Sequence, residues 1–238
     1  MPRLSLVLPA FNEQARLPYT LSEVERYVCA EQLDCEVIVV DNGSRDATSV
    51  VVQQAAARFP RLRLLRTDRR GKGLAVRTGV LAAQGDVVLF ADADLSWSVS
   101  DIPRFCSMVD ADRPVVIGSR EGFGARRLGE PGYRHLMGRV FNRVVQTLAV
   151  PGIEDSQCGF KAFTREAAQS LFQRQRLDGW GFDVEVLYLA QRLGYAITVV
   201  PLRWEHKDDS RVVPVRDALL MLADVARVRV NAWRGVYE

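Results

Sequence analysis

Short apolar runs of strand type alternate with helical stretches through the first half of the chain, and no other feature restricts the fold as much. The runs are Leu4–Leu8, Glu36–Val40, Leu62–Leu65 and Val87–Ala91, and between them lie helical patterns at about Gln14–Ala30, Asp46–Arg58 and Lys72–Ala83. The punctuation agrees: Ser44 or Asp46 can cap the second helix, Pro60 follows it, and Gly85 closes the third. Strands joined by helices of this length require β-α-β crossovers, so the expected fold is α/β, a mostly parallel sheet with helices on both faces. Val115–Gly118 and Ile197–Pro201 add later strands. The second half is less regular. Glu121–Gly132 reads as a Gly- and Arg-rich loop, followed by helices at Tyr133–Leu148, Arg165–Gln173 and Phe182–Leu193. Val215–Trp233 alternates Arg and Asp beside a broad apolar face and reads as a C-terminal amphipathic helix. With no repeat or linker, 238 residues make one domain spanning 1–238.

Each early strand ends in polar residues. After the first comes Pro9-Ala10-Phe11-Asn12-Glu13, after the second Asp41-Asn42-Gly43-Ser44-Arg45-Asp46, and after the third Arg69-Arg70-Gly71-Lys72-Gly73. The fourth runs Asp86-Val87-Val88-Leu89-Phe90-Ala91 into Asp92-Ala93-Asp94. Singly these are ordinary: Asp-Asn-Gly-Ser is a good turn, Ser44 a good cap, and an isolated D-x-D a pair of solvated acids. Together they fall at the strand ends where open α/β sheets bind ligands. Paired carboxylates at such an end suit a hard cation, Mg²⁺ or Mn²⁺, that is itself held by a diphosphate.

The net charge of +3 is too small to argue for nucleic acid. Its distribution is uneven, with Arg120, Arg126, Arg127, Arg134, Arg139 and Arg143 set against only Glu121 and Glu130. Such a patch suits an anionic ligand or a membrane surface. Cys29, Cys35, Cys106 and Cys158 form no C-x-x-C pair and no metal spacing with His135 or His206, which points to free thiols in a reducing, cytoplasmic compartment. The opening apolar stretch is too short for a signal peptide, and nothing approaches the roughly 20 apolar residues of a spanning helix. Any membrane contact would then be peripheral, on the cytoplasmic face. Asn42-Gly43-Ser44 fits a glycosylation sequon, discounted for want of a secretory signal.

With these motifs in place, the chain resembles a family 2 glycosyltransferase of the Rossmann-like GT-A fold. The resemblance rests on Leu8-Pro9-Ala10-Phe11-Asn12-Glu13, Val39-Val40-Asp41-Asn42-Gly43-Ser44, Arg70-Gly71-Lys72-Gly73 and Ala91-Asp92-Ala93-Asp94. It continues in Gly118-Ser119-Arg120, Gln157-Cys158-Gly159-Phe160-Lys161 and Phe182-Asp183-Val184-Glu185, blocks similar to those of dolichyl-phosphate (polyprenyl-phosphate) β-glucosyltransferases and mannosyltransferases. Coverage is about residues 3–212. The resemblance implies a nucleotide-sugar-binding half at 1–119, an acceptor-binding half at 120–212 and the amphipathic helix at 213–238.

The implied donor is a nucleotide-sugar, UDP-glucose or GDP-mannose, with glucose from UDP-glucose preferred. Pro9, Ala10 and Glu13 would shape the nucleoside pocket, Asp41 would accept from a base N–H, and Ala93 would line the donor site. Lys72, at a helix start, can pair with phosphate. Asp92 and Asp94 would hold the cation; many relatives carry Gln where this chain has Ser96. A polyprenyl phosphate acceptor is already ionised at neutral pH and needs neutralising and orienting, which suits arginine. Arg120, Arg126 and Arg127 are the first candidates, Arg134 lies behind them, and Lys161 and Arg211 resemble further phosphate-contacting positions. His206 is a possible extra ligand. Asp183 is either a base or a binder of sugar hydroxyls, and Glu185 needs no role beyond a helix-start acid. Trp180 could stack on the sugar, though Trp180 and Trp97 are about as easily packing residues. The resemblance implies an inverting, metal-dependent hexosyl transfer, in which Asp94, Asp183 and Lys72 would form the catalytic set.

The alternative acceptor is a soluble sugar, a metabolite or a polysaccharide precursor. A non-catalytic nucleotide-sugar-binding protein is disfavoured by intact Asp41, Asp92, Asp94 and Asp183. A nucleotidyltransferase is disfavoured because Pro9–Glu13 is not a Gly-rich loop with following Arg and Lys.

Overall fold

A computed structural model of the chain describes residues 3–128, 138, 142–205 and 214–238. In chain order the elements are β1 (Leu4–Ala10), α1 (Leu17–Ala30), β2 (Cys35–Asp41), α2 (Thr48–Ala56), β3 (Leu62–Arg66), α3 (Lys72–Ala82), β4 (Val87–Ala91), α4 (Asp101–Met108), β5 (Val115–Ser119) and β6 (Arg126–Leu128). Residues 142–148 are helical (α5). Then come β7 (Phe160–Thr164), α6 (Arg165–Arg174), α7 (Phe182–Arg192), β8 (Ile197–Pro201), β9 (Arg203–Glu205) and α8 (Pro214–Trp233).

Seven strands form one sheet in the order β3-β2-β1-β4-β7-β5-β8, and β6 pairs with β9 in a small parallel ribbon. All neighbours in the large sheet are parallel except β7, which runs antiparallel to both β4 and β5. Strands β2, β4 and β5 are buried along their whole length, as near-continuous apolar runs in a sheet covered on both faces must be. The edge strands β3 and β8 are more exposed.

Side chains alternate between two cores. Leu4, Leu6, Leu8, Leu89 and Ala91 face α1, α2 and α4, while Val7, Val88 and Phe90 face α3, α6, α7 and α8. α8 buries Val225 and Val228 in the second core and leaves Leu220, Val230 and Trp233 exposed. Among the described residues no helix is long and apolar enough to cross a membrane.

The expected mostly parallel sheet is present with the expected first four strands. Among the described residues four elements were not expected: α4, β7 and the three-residue strands β6 and β9, of which β6 falls in the segment read as the Glu121–Gly132 loop. α4 is only two turns long, and β7 places a charged lysine in mid-sheet, so neither carries a clear periodicity. β7 inserts between β4 and β5, which joins strands from both halves of the chain in one sheet. The expected helix at Tyr133–Leu148 lies largely outside the described residues.

Candidate active site

The loops after β1 and β2 are stitched together. Asn12, with φ 51°, donates its N–H to Ser44 Oγ at 2.9 Å, and its Oδ1 accepts the N–H of Arg45 at 2.8 Å. Ala10, buried beside half-buried Pro9, accepts the N–H of Asn42 at 2.8 Å. Glu13 forks its carboxylate onto Arg16 at 2.6 and 2.7 Å, and its N–H donates to Thr48 Oγ1 at 2.7 Å. Asp41 closes β2 with a buried side chain that accepts the N–H of Ser44 at 2.9 Å and the Ser49 hydroxyl; Arg66 lies 3.8 Å away. Burial pushes the Asp41 carboxyl up, but the hydrogen bonds from Ser44 and Ser49 outweigh it and hold it below its ordinary value.

Lys72 opens α3 between two glycines. Gly71 donates its N–H to Asn42 Oδ1 at 2.7 Å, tying this helix start to the β2 loop. A Cβ at Gly71 would lie 2.4 Å from the carbonyl oxygen of Asp178, and one at Gly73 would lie 2.5 Å from that of Leu177. These glycines therefore admit the 175–178 loop against α3. Lys72 Nζ reaches Asp92 Oδ1 at 2.6 Å and lies 4.9 Å from the centre of the Trp180 ring. Burial pulls the Lys72 ammonium down, yet Asp92, Asp183 and Asp94 together raise it above its ordinary value, so it stays charged.

Asp92 and Asp94 are both half-buried, with Ala93 buried between them. The Asp92 backbone is fixed on both sides: its N–H donates to the Gly159 carbonyl at 3.0 Å and its carbonyl accepts Trp97 Nε1–H at 2.7 Å. Trp97 is thus a buried packing residue. A Cβ at Gly159 would fall 2.0 Å from Asp92 Oδ2, so that position leaves room for the carboxylate. Ser96 offers its backbone N–H to Asp94 Oδ1 at 3.0 Å. Among the described residues no group of three or more His, Cys, Asp or Glu could hold a metal unaided. A pair of hard carboxylate oxygens at a strand end does fit Mg²⁺ or Mn²⁺ completed by phosphate oxygens and water.

Behind this edge lies a second ion pair. Lys161, on β7, is fully buried and donates to Asp183 Oδ1 at 2.5 Å and to the Cys158 carbonyl at 2.6 Å. Burial raises the Asp183 carboxyl, with Lys161 and Lys72 pulling against it. Lys161, Asp183, Lys72 and Asp92 thus form an alternating row of charges.

The basic residues are dispersed. Arg120 grips the buried Asp155 carboxylate at 2.8 Å through both Nε and Nη2, and its backbone N–H donates to the same group at 2.8 Å. Arg126 is exposed on β6; of Arg127 only the backbone is described, paired with Trp204. Arg134, His206 and Arg211 lie outside the described residues. Sequence reasoning missed Asp155, Gln175, Asp178 and Tyr237, which stand in no motif. At the opposite edge of the sheet a cleft of about 400 Å³ is lined by Arg61 and Arg63, which pair with Asp34 and Glu36.

The profile of the family described as Glycosyl transferase family 2 matches residues 5–172. A dolichyl-phosphate β-glucosyltransferase of Dictyostelium discoideum is 35% identical over 249 residues, covering 99% of this chain and 76% of that protein. One from Mus musculus is 36% identical over 251 residues, covering 99% and 78%. Glucosyl-3-phosphoglycerate synthase from Mycobacterium tuberculosis, crystallised with Mn²⁺, UDP-glucose and phosphoglyceric acid, superposes with a TM-score of 0.68. That pair shares 22% identity over 95% of this chain and 79% of the synthase, a likeness of fold. The chain is a glycosyltransferase and belongs to glycosyltransferase family 2.

Proposed function

We propose that the chain transfers glucose from UDP-glucose to the phosphate of a polyprenyl-type lipid, inverting the anomeric carbon. The substrate class comes from relatives named dolichyl-phosphate β-glucosyltransferases that match almost end to end. One observation carries the chemistry: Lys72, Asp92 and Asp94 converge where β4 ends and α3 begins. Lys72 would face the donor diphosphate and stabilise charge as the nucleoside diphosphate departs. Asp92 and Asp94 would hold a divalent cation, Mg²⁺ or Mn²⁺, which supplies Lewis-acid stabilisation of the leaving group. Asp41 and the Pro9–Glu13 loop would line the nucleoside pocket.

The acceptor phosphate, with a second pKa of about 6, arrives already ionised. A strong base is then unnecessary, and Asp183, buried and tied to Lys161, acts as an orienting group for sugar hydroxyls. Arg126 and Arg127 on β6 would neutralise the phosphate, with Arg211 as a further contact. Arg120, whose charge is met by Asp155, would order the end of β5 beside β6 rather than neutralise the phosphate itself. Phe123 is fully exposed beside β6, and Leu220, Val230 and Trp233 are exposed on α8 with Arg227 and Arg229. This mixture of apolar and basic surface suits peripheral contact with an anionic membrane. The unpaired thiols fit its cytoplasmic, reducing face.

The test is transfer from UDP-glucose and GDP-mannose, with Mn²⁺ or Mg²⁺, in the presence and absence of a polyprenyl phosphate. Glucose on the lipid, with UDP-glucose preferred, is the expected result. Donor hydrolysis or transfer only to soluble phosphates such as phosphoglycerate would overturn the lipid acceptor.

A further inference from the structure

Glu185 lies in the first turn of α7 with its side chain completely buried, and its carboxylate accepts hydrogen bonds from Arg176, Leu177 and Tyr237, outside that helix. Its Oε2 accepts the N–H groups of Leu177 at 2.8 Å and Arg176 at 3.0 Å. Its Oε1 accepts the Tyr237 hydroxyl at 2.7 Å. Tyr237 follows α8 and is itself buried.

The two amides belong to the loop that shapes the start of α3. Gln175 Nε2 donates to the carbonyls of Gly73 at 2.9 Å and Leu177 at 2.8 Å. The Asp178 carbonyl accepts the N–H of Leu74 at 3.2 Å. Arg77 closes the web from α3, reaching the Gln175 carbonyl at 2.9 Å and Asp178 Oδ1 at 3.1 Å. The absence of room for a Cβ at Gly71 or Gly73 makes this contact backbone on backbone. Lys72 stands between those glycines.

We infer that Glu185 is a positioning residue for the donor end of the site, and that Tyr237 completes it. The carboxylate fixes the 175–178 loop, the loop fixes the first turn of α3, and that turn sets the reach of Lys72 to Asp92. The segment after α8 is thereby coupled to donor binding through Glu185. Glu185 is not a base: it is sealed from solvent and both oxygens are engaged. This inference rests on the reading that Lys72 faces the donor diphosphate.

The experiment compares the full chain with Tyr237→Phe, Glu185→Gln and Lys72→Met. It measures UDP-glucose binding with Mn²⁺ by calorimetry, the split between KM for donor and kcat, and amide hydrogen exchange. Tyr237→Phe keeps the ring and removes one hydrogen bond. It is expected to raise the donor KM by about 3- to 10-fold with kcat nearly unchanged. Exchange should quicken at residues 72–75 and 176–177 while the central strands stay protected. Glu185→Gln, which keeps the shape, should move the same readouts further. If Tyr237→Phe lowers the melting temperature but leaves donor KM and exchange at 72–75 as in the wild type, Glu185 is merely structural and the inference is overturned. A wild type that binds no nucleotide sugar would overturn the functional reading, and the donor role of Glu185 with it. Unchanged exchange at 72–75, with donor binding intact and lost in Lys72→Met, would overturn the linkage alone.

Discussion

Lys72 is a half-buried cation and Lys161 a fully buried one, and their neighbours give them different work. Lys72 is partly open and sits against Asp92, whereas Lys161 is sealed against Asp183. Replacing Lys72 by Met should therefore weaken donor binding and lower kcat/KM for UDP-glucose by about 100- to 1,000-fold, the usual cost of losing one charge-stabilising donor, with little change in melting temperature. Asp94→Ala should cost a similar factor, and chelation should reproduce the loss in the wild type; full activity in both would remove the metal assignment. Asp183→Asn leaves the Lys161 ammonium unpaired and should cost about 3–5 kcal/mol of stability, read from denaturant unfolding. Combining it with Lys161→Met should recover most of that loss. A double variant no more stable than the single one would mean that the pair does not act as a unit.

Two glycines separate the effects of neighbouring elements. At Gly181 a Cβ would lie 2.4 Å from Asp224 Cβ, so the loop before α7 and the helix α8 are packed at the closest distance the backbone allows. Gly181→Ala should push α8 away and destabilise by about 1–3 kcal/mol, the range for overpacking a tight contact. Gly73→Ala forces the 175–178 loop off α3 and should show a comparable loss in thermal unfolding. Gly73→Ala should weaken nucleotide-sugar binding more than Gly181→Ala, because it moves the turn that carries Lys72 directly, whereas Gly181→Ala reaches that turn only through α8, Tyr237 and Glu185. Equal loss of donor affinity in both would overturn that order.

For the whole molecule, the pH dependence of stability depends on groups far from the chemistry. Glu36, at the opposite edge of the sheet, is pushed up by burial but pulled further down by Ser5, the Gln84 N–H and Arg63. A depressed carboxyl adds stability that is fully present above its unfolded value, here 4.5, and is lost as pH falls through the folded value. Glu36→Gln should therefore be less stable than wild type by about 1–2 kcal/mol at neutral pH, with the gap closing below pH 4.5. A constant gap from pH 7 to pH 3 would remove Glu36 from the acid transition. The alternation of Leu4–Leu8, Glu36–Val40, Leu62–Leu65 and Val87–Ala91 with helices by itself determined the parallel half of the sheet. Local periodicity and turn chemistry are properties of adjacent residues, and the strand-end motifs followed from the same pattern. The antiparallel β7 was decided only in three dimensions, because a five-residue strand bearing Lys161 is stable only when β4 and β5 flank it and Asp183 meets the charge. The partners of Arg120 and Glu185 were equally invisible along the chain. Asp155 and Tyr237 lie 35 and 52 residues away, and contacts at that separation form through the closure of the fold rather than through any local rule.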